Sequence, residues 1–376
     1  MHSSISNSKD SNTKDTNYTD SISKVEKVYE RPVPVIKFAG VIAIIVLLVF
    51  IAIWEMYVRS QGVTPSYRNS DGLWAEQRRK INNGAGDGWV FTGSSRVLFN
   101  MQLKAWEELD NRKPLQLALE GTSPVSVLEG LAEDSDFTGN VIVGVAPGLF
   151  FSGYEYRRGA LKQHKDETPS QWLGQRISLL LEPYFAFYTY DYALSTILHR
   201  QPLPEREGVN NGLDVRKLAN MERDRNTRMW DKVYLDKDYR DLARKIWVGD
   251  WKPFNEQPEP RQEGIIKGRA KQLERAIKAT KTLQGRGINV VFVQMPYEGH
   301  YAVSEPDIAP RELTWDILIK ETDALGLHFL DHKQMQGYEL PEWSHMTGEE
   351  ADRFTQNFYH LVQSELARHK HAGEQP

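Results

Sequence analysis

Two short segments of this sequence carry the side chains of a nucleophilic site. GWVFTGSSRVL places Ser94 and Ser95 directly after an apolar run, and PEWSHM places Glu342 three residues before His345. A serine hydroxyl is hardly ionised near neutral pH, so it needs a base within hydrogen-bond distance and a third group that orients the base. A carboxylate three residues before a histidine in one loop can turn back onto one ring nitrogen and leave the other free. These residue types predict acyl transfer through a serine, with His345 as base and Glu342 as its orienting group.

Such a site also needs donors for the oxygen that becomes negatively charged during the reaction. Backbone N–H groups at the start of a helix favour negative charge, which makes the Ser95 amide one candidate. Gly121, in ALEGTSP, has no side chain to block approach and offers a second N–H. We expect Ser95 and Gly121 to form the oxyanion hole.

The elements that must position these residues follow from five apolar runs that alternate with helical patterns. Continuous apolar strands of this kind are typical of a parallel sheet covered on both faces. We therefore predict an α/β fold with a doubly wound, five-stranded parallel sheet. Ligands bind beyond the carboxyl ends of such strands, where the candidate residues fall. The predicted strands are 88–93, 114–121, 140–148, 288–296 and 327–331.

Helices are predicted between these runs. Leu98, Met101, Ala105 and Leu109 have helical spacing after the first run, and further helices are predicted at 124–131 and 262–284. Near the end of the chain, Thr347 with Glu350 three residues on has the form of a capping box. The helix that it opens has an apolar face of Ala351, Phe354, Phe358 and Leu361.

The strongest physical signal is an uncharged apolar run at residues 38–54. With its flanks it predicts a transmembrane helix at 36–58, and a buried core helix is the alternative. Four basic residues precede the run, and only Arg59 and then Arg68 follow it, so positive-inside counting places residues 1–35 in the cytoplasm. We expect a type II single-pass anchor in a bacterial-type inner or plasma membrane. The basic residues on the amino-terminal side are Lys24, Lys27, Arg31 and Lys37.

Composition excludes several other functions. A net charge of −4 gives no reason to expect a nucleic-acid partner. The absence of cysteine excludes disulfides, thiolate metal sites and a cysteine nucleophile. Ten histidines without an HExxH pattern give no support for a metal site, and we expect no cofactor.

The chain divides by pattern into five parts. We predict a disordered tail at 1–35, the transmembrane helix, a juxtamembrane linker at 59–85, an α/β domain formed by 86–150 and 263–370, and a mainly helical insertion at 151–262. Within the insertion, the stretch 177–198 has six aromatic residues among the nine consecutive positions 184–192. Because Glu182, Pro183 and Asp191 interrupt this stretch, a buried or interfacial helix is favoured over a second membrane span.

The segments with candidate residues resemble the SGNH (GDSL-type) hydrolases and acyltransferases. FTGSSRVL resembles the first block, with Ser95 at the nucleophile position and Ser94 where the family usually has aspartate. ALEGTSP resembles the second block, with Gly121 as the oxyanion donor. PEWSHM resembles the last block, Asp-x-x-His, with Glu342 in place of the aspartate. The resemblance covers roughly 86–150 and 286–366 and implies an SGNH, flavodoxin-like fold with a Ser-His-Glu triad.

The third block of the family usually reads Gly-x-Asn-Asp, and its asparagine completes the oxyanion hole. The corresponding stretch here is VGVAPGLFF, without asparagine. Loss of one such donor lowers kcat by about 10²–10³ in a serine protease, so either another group replaces it or the enzyme is slow. Together with the anchor, this variant resembles membrane-anchored envelope members of the superfamily, such as the alginate O-acetylation proteins and the D-alanyl transfer protein of teichoic acid assembly.

That group implies an extracytoplasmic O-acyltransferase or acyl esterase. Its substrates would be a cell-envelope polysaccharide, a lipid-linked glycan or an acyl carrier, and a membrane-bound O-acyltransferase is the expected partner. Two alternatives stay open: an inactive SGNH-like binding or scaffold module of a polysaccharide modification or export complex, and a different doubly wound domain that binds phosphate at TGSSR.

Two further residues are candidates for substrate binding. Arg96 follows the serines and could bind a substrate carboxylate or phosphate, or else form a structural salt bridge. His300, in MPYEGHY after the fourth predicted strand, could line the rim of the cleft or lie in a solvated loop.

Overall fold

The computed structural model describes residues 36–199 and 217–373. The chain forms two compact units, with the boundary between Met56 and Tyr57. The predicted cytoplasmic tail, 1–35, lies outside the described residues.

The first described element is α1, Ile36–Ser60. Within its stretch Phe38–Ser60, an 18-residue window has a mean hydropathy of 2.8, and 6% of that window is buried. By length and composition α1 can cross a membrane, because 23 residues at about 1.5 Å per residue exceed the thickness of a hydrocarbon core. With so little of it buried, α1 does not have the environment of a core helix.

The second unit is built on a five-stranded, wholly parallel sheet with the order β2-β1-β3-β6-β7. Val90 of β1 pairs with Leu115 on one side and with Val141 on the other. The strand order therefore reverses beside β1, and the crevice that such a reversal leaves lies at the carboxyl ends of β1 and β3. The strands are β1 Trp89–Thr92, β2 Leu115–Gln116, β3 Asn140–Gly144, β6 Val290–Gln294 and β7 Leu325–His328, and β4 Ala219–Met221 pairs with β5 Thr227–Met229 in a separate antiparallel sheet.

Helices precede, connect and follow these strands. Those of the second unit are α2 Asp71–Arg79, α3 Ser95–Asn100, α4 Leu103–Asp110, α5 Val125–Glu133, α6 Pro147–Phe150, α7 Arg158–Lys165, α8 Pro169–Leu181, α9 Leu194–His199, α10 Asp231–Leu235, α11 Lys237–Val248, α12 Glu259–Gln284, α13 Tyr301–Ile308, α14 Trp315–Thr322 and α15 Gly348–Gly373.

Side chains on both sides of the sheet are buried, which is why its strands are apolar without alternation. On one side, Val90 and Phe292 lie in a cluster with residues of α5, α12 and α14. On the other side, Phe91 packs edge to face on Trp106 of α4, and Trp106 packs on Tyr359 of α15. The α/β prediction and its five-stranded parallel sheet are confirmed.

The single helical pattern predicted after β1 is two helices in the structure. The chain leaves the helical conformation at Met101, which has φ −105° and ψ 105°. The Gln102 amide donates to Thr355 Oγ1 at 2.9 Å, and the Leu103 amide donates to Asn226 Oδ1 at 2.7 Å. Distant side chains therefore satisfy the backbone groups that open α4 and make the break stable.

The segment 59–85, predicted as a linker, is part of the folded unit. Leu73 and Trp74 of α2 are buried, and Trp74 Nε1 donates to Leu117 O at 2.9 Å. The described part of 151–262, residues 151–199 and 217–262, is mainly helical and also contains the β4–β5 hairpin. That hairpin turns at Arg225, a buried residue with a φ of 68°.

Candidate functional site

The turn after β1 depends on two glycines. A Cβ on Gly93 would lie 2.4 Å from Val97 Cγ2, and a Cβ on Gly144 would lie 2.1 Å from the same atom. Val97, in the first turn of α3, thus rests against the ends of both β1 and β3. Glycine at both positions lets α3 start immediately after β1, at the point where the strand order reverses.

The two serines of this turn have different environments. Ser94 is the N-cap of α3, and it is 2% exposed and makes no capping hydrogen bond with its side chain. Ser95 is the first residue of α3 and is partly exposed. Of the two hydroxyls, that of Ser95 has the better access for a substrate, which favours Ser95 as the nucleophile candidate.

The loop that carries Glu342 and His345 turns back on itself, as predicted. Glu342 is fully buried, and its Oε1 lies 2.8 Å from His345 Nδ1. The same oxygen accepts a hydrogen bond from the His345 backbone N–H at 2.6 Å. Between them, Trp343 adopts a φ of 74°, an uncommon conformation for a bulky residue. The carboxylate therefore lies directly against one side of the imidazole ring.

The insertion supplies another contact to this carboxylate. Trp247, in the last turn of α11, donates its indole N–H to Glu342 Oε2. One turn earlier, Arg244 donates to Pro341 O through Nε at 3.0 Å, and its guanidinium lies 5.1 Å from the Trp343 ring centroid. Helix α11 thus holds the loop at three consecutive residues, 341–343.

Helix α3 holds the other half of the loop. Arg96 Nε donates to Ser344 Oγ at 3.2 Å, and the Met346 amide donates to Asn100 Oδ1 at 2.9 Å. The Phe99 ring stacks on the His345 ring with centroids 4.2 Å apart. Because residues four apart share one helix face, Phe99 places the imidazole over the same face of α3 that begins with Ser95.

The second ring nitrogen of the histidine is unoccupied by any described residue. His345 is 3% exposed, and its Nε2 is buried and makes no hydrogen bond with the described part of the chain, Ser95 included. His345 Nδ1 faces Glu342 at ion-pair distance without hydrogen-bond alignment. Bonds between nucleophile and base are often long or misaligned without substrate. The imidazole therefore lies against the Glu342 carboxylate, and it makes no hydrogen bond to Ser95.

The Gly121 amide lies at the same edge of the sheet. Strands β1 and β2 are joined beyond their ends by the Leu119 N–H, which donates to Gly93 O at 2.9 Å, and Gly121 follows two residues later. Gly121 has a φ of 58°, and its N–H donates to no described residue. An oxyanion donor must have an N–H that no other group uses, and the Gly121 N–H meets this requirement at the edge of the sheet where Ser95 lies.

Arg96 lies in a buried structural salt bridge. Its guanidinium binds Glu305 through two hydrogen bonds of 2.8 Å, and its centre lies 4.7 Å from the Tyr297 ring centroid and 5.0 Å from that of Tyr301. Burial opposes the charge on Arg96, but the attraction and hydrogen bonds of Glu305 outweigh it and raise its pKa. Of the two interpretations of Arg96, the structure supports the structural salt bridge. Glu305 already occupies the guanidinium nitrogens that a substrate carboxylate or phosphate would need.

His300 lies just before α13 and is partly exposed. Its ring meets Trp251 edge to face with centroids 5.1 Å apart, and burial lowers its pKa. The preceding Gly299 has a φ of 53°, and a Cβ there would lie 2.5 Å from the Trp343 ring. His300 therefore directly follows Gly299, which packs on Trp343 of the histidine loop. This position is compatible with a residue at the rim of the candidate site.

A cavity of about 490 Å³ lies at the carboxyl ends of β3, β6 and β7. Its lining includes Pro147, Gln294, His328 and Tyr297, and Tyr297 also faces Arg96. A larger cavity of about 1190 Å³ lies among α2, α5, α7 and α12. Neither cavity is lined by Ser95, Glu342 or His345. The volumes of the cavities therefore do not indicate where the candidate site lies. Among the described residues, no group of three or more histidine or acidic side chains has the arrangement of a metal site.

Several site residues lack a signal in the sequence. Trp247 and Arg244 lie in the insertion, about a hundred residues before the loop that they contact, and nothing in their local pattern indicates chemistry. Phe99 and Asn100 have the spacing of ordinary helix positions after the turn at Ser94 and Ser95, and only the fold shows that they contact the histidine loop. No protein-family model matches the chain, and no curated protein is significantly similar to it in sequence.

Proposed function

We propose that this chain is a membrane-anchored, extracytoplasmic serine acyl-transfer enzyme of the SGNH type, an O-acyltransferase or acyl esterase. In this proposal the parallel sheet is doubly wound in the SGNH manner, residues 86–150 and 263–370 form the catalytic domain, and α1 anchors it in a bacterial-type inner membrane. The substrate is an acyl group carried by, or destined for, a cell-envelope polysaccharide or lipid-linked glycan.

One observation carries the proposal. The His345 ring lies between the buried carboxylate of Glu342, 2.8 Å from Nδ1, and the face of α3 that begins with Ser95, while its Nε2 has no partner among the described residues. A buried imidazole nitrogen without a hydrogen bond is costly in a purely structural role. A general base needs that nitrogen free for the serine proton.

The chemistry follows from the roles of the three groups. Ser95 Oγ attacks the acyl carbonyl while His345 Nε2 takes the hydroxyl proton, and Glu342 stabilises the imidazolium that forms. The amides of Ser95 and Gly121 donate to the oxygen as it becomes negative. The tetrahedral intermediate collapses to an acyl-serine, and His345 returns the proton to the leaving group. A sugar hydroxyl or water then takes the acyl group by the same steps in reverse.

The membrane orientation is also part of the proposal. The basic residues before the apolar run favour the cytoplasm on that side, which places the second unit outside. A membrane-bound O-acyltransferase is the partner that would supply the acyl group across the bilayer.

Hydrolysis of an activated acetyl ester by the full chain in detergent tests the proposal. We expect slow turnover that Ser95→Ala abolishes and that Ser94→Ala retains, since only Ser95 supplies the nucleophile. Equal rates for the native chain and Ser95→Ala would contradict it.

A scaffold module that has lost catalysis is the second candidate. The absence of a Ser95–His345 hydrogen bond and the near-complete burial of His345 favour it. Under this alternative the native chain and both serine variants give no turnover, and the chain still binds the glycan.

A further inference from the structure

Helix α8 presents its polar side to the protein. Gln175 Oε1 accepts a hydrogen bond from Ser70 Oγ at 2.8 Å, and Ser178 Oγ donates to Glu182 Oε1 at 2.7 Å. Glu182, at the end of the helix, is 1% exposed, and its Oε2 accepts from the Arg68 N–H at 3.2 Å. These three residues have the spacing i, i+3 and i+7, so they form one face of the helix. Leu179, which is 8% exposed, is the buried apolar residue on this side. Apart from Leu179, the face where a surface helix usually places its apolar residues is polar.

The opposite side of α8 is apolar and exposed. Leu180 and Tyr184 are each 69% exposed, and three further apolar side chains on this side are exposed as well. Four of them, on α8, have the spacing i, i+4, i+7 and i+8 of a helix face which normally packs on a core. Tyr184 follows three residues after the helix ends. A contiguous apolar surface of this kind marks a site covered by something else. We call it the outer stripe, and its residues are Leu173, Ile177, Leu180, Leu181 and Tyr184.

One end of the outer stripe contacts Arg59, a residue of the second unit. Arg59 Nη2 donates to Tyr184 O at 3.0 Å. Arg59 lies in the last turn of α1, whose stretch Phe38–Ser60 has the length and hydropathy of a membrane span. If α1 crosses the bilayer, Arg59 lies at its surface, and the stripe begins one hydrogen bond away.

The edge of the outer stripe has side chains suited to lipid headgroups. Trp172 is 46% exposed, and the guanidinium of Arg176 lies 3.8 Å from its ring centroid. Tryptophan and tyrosine are enriched where hydrocarbon meets headgroups, and an arginine there can keep its charge among phosphates while its stem stays in apolar surroundings. The stripe is thus apolar at its centre and amphipathic at its margin.

We infer that the outer stripe of α8 lies in the interfacial layer of the bilayer that α1 spans. The occupant of this apolar face is lipid, because the face continues from the end of the anchor and carries the aromatic and basic margin of an interfacial helix. Two attachments, α1 and α8, would hold the second unit against the membrane. This inference rests on the proposed spanning of α1 and is independent of the catalytic proposal.

The chain has no cysteine, so a single introduced cysteine can be labelled without background. We would label Leu180→Cys with an environment-sensitive fluorophore in the full chain, reconstituted into phosphatidylcholine vesicles. A matched control is Leu235→Cys, another exposed leucine, on α10. Val46→Cys, within α1, reports whether the anchor is in lipid.

Lipids with a quencher on the acyl chain should quench the label at position 180 several-fold more than the label at 235, and an aqueous quencher should do the reverse. If the aqueous quencher acts on the label at 180 as strongly as on the label at 235, the inference is overturned. If the label at 46 is at the same time quenched by lipid, the proposed membrane span of α1 still stands. Protection of the label at 180 from both quenchers would overturn it too, by showing a protein occupant. Aqueous quenching at 46 would remove the proposed span and the inference together.

Discussion

The carboxylate of Glu342 is surrounded by donors. It accepts from the His345 backbone N–H and the Trp247 indole, and it lies 2.8 Å from His345 Nδ1. A fully buried carboxylate is costly unless such partners are present, so these contacts offset the cost of burying Glu342. The Glu-x-x-His spacing predicts one part of this arrangement. The Trp247 contact could not be predicted, because it depends on how a distant helix docks.

Trp247→Phe tests whether α11 positions the proposed triad. The change removes the donor to Glu342 Oε2 and keeps an aromatic ring at a position where the native indole lies 6.5 Å from the His345 ring, centroid to centroid. A hydrogen bond to a charged group contributes about 1.5–3 kcal/mol, so kcat on an activated ester should fall by roughly tenfold or more, with KM little changed. The pH profile of kcat should shift as well, which a purely structural role would not cause. Trp251→Phe, at a tryptophan that does not contact Glu342, is the control, and equal effects in both variants would argue against the role of Trp247.

His328, at the end of β7, makes the folded state sensitive to acid. Burial, followed by Arg311, lowers its pKa to about 4, and its Nδ1 accepts the Leu330 N–H at 3.2 Å. Because the pKa is higher in the unfolded chain, about 6.5, the unfolded state binds the proton first as the pH falls. Stability should therefore decrease between about pH 6.5 and 4, by up to about 3 kcal/mol from this residue.

His328→Asn keeps an acceptor in place of Nδ1 and does not titrate. Urea unfolding followed by tryptophan fluorescence should show a smaller loss of unfolding free energy between pH 7 and pH 4 in this variant than in the native chain. The same loss in both proteins would exclude His328 as a source of the acid sensitivity.

Among the elements, α3 shows how tightly the site depends on the strands beneath it. Val97 Cγ2 occupies the space that a Cβ on either Gly93 or Gly144 would need. Gly93→Ala should therefore cost about 1–3 kcal/mol of unfolding free energy, as overpacking does, and it should lower turnover by displacing Ser95. Gly130→Ala is the control, because that glycine lies inside α5 with nothing within 4 Å. There, alanine should stabilise by about 0.5–1 kcal/mol. A thermal midpoint that does not fall in Gly93→Ala would contradict the packing argument.

The elements that the sequence predicts well are those whose burial is continuous. All four residues of β1 and all five of β6 are buried, which gives the apolar runs their signal. The β4–β5 hairpin was missed, because ANMERDRNTRM neither alternates cleanly nor contains a glycine at the turn. Its stability comes from distant contacts, such as Arg225 with Gln116 O at 2.9 Å and with Ala118 O at 2.8 Å. Such contacts leave no local pattern.

At the scale of the whole molecule, the chain contains an apolar helix, α1, and a folded second unit. The length and composition of α1 were predictable because a bilayer imposes both on any helix that crosses it. The sequence predicts a buried or interfacial helix at 177–198 from its aromatic residues, but of these only Tyr184 belongs to the outer stripe. Which face of α8 turns inward depends on partners such as Ser70 and Arg68, far away in sequence.

The proposed orientation predicts which cysteine variants react outside the cell. With a membrane-impermeant maleimide added to intact cells, Leu235→Cys should be labelled, because Leu235 is 74% exposed in the extracytoplasmic unit. Ser4→Cys, in the predicted cytoplasmic tail, should be labelled only after the cells are opened. The opposite pattern would reverse the topology and place the second unit inside.

The most direct test of the serine site is reaction of the full chain with a fluorophosphonate, followed by mass-spectrometric mapping of the adduct. An activated serine attacks this probe, and an ordinary hydroxyl does not. The expected result is an adduct on Ser95 that persists in Ser94→Ala and disappears in both Ser95→Ala and His345→Ala. An adduct on Ser94, or no adduct on the native chain under conditions that label a control serine hydrolase, would contradict the site.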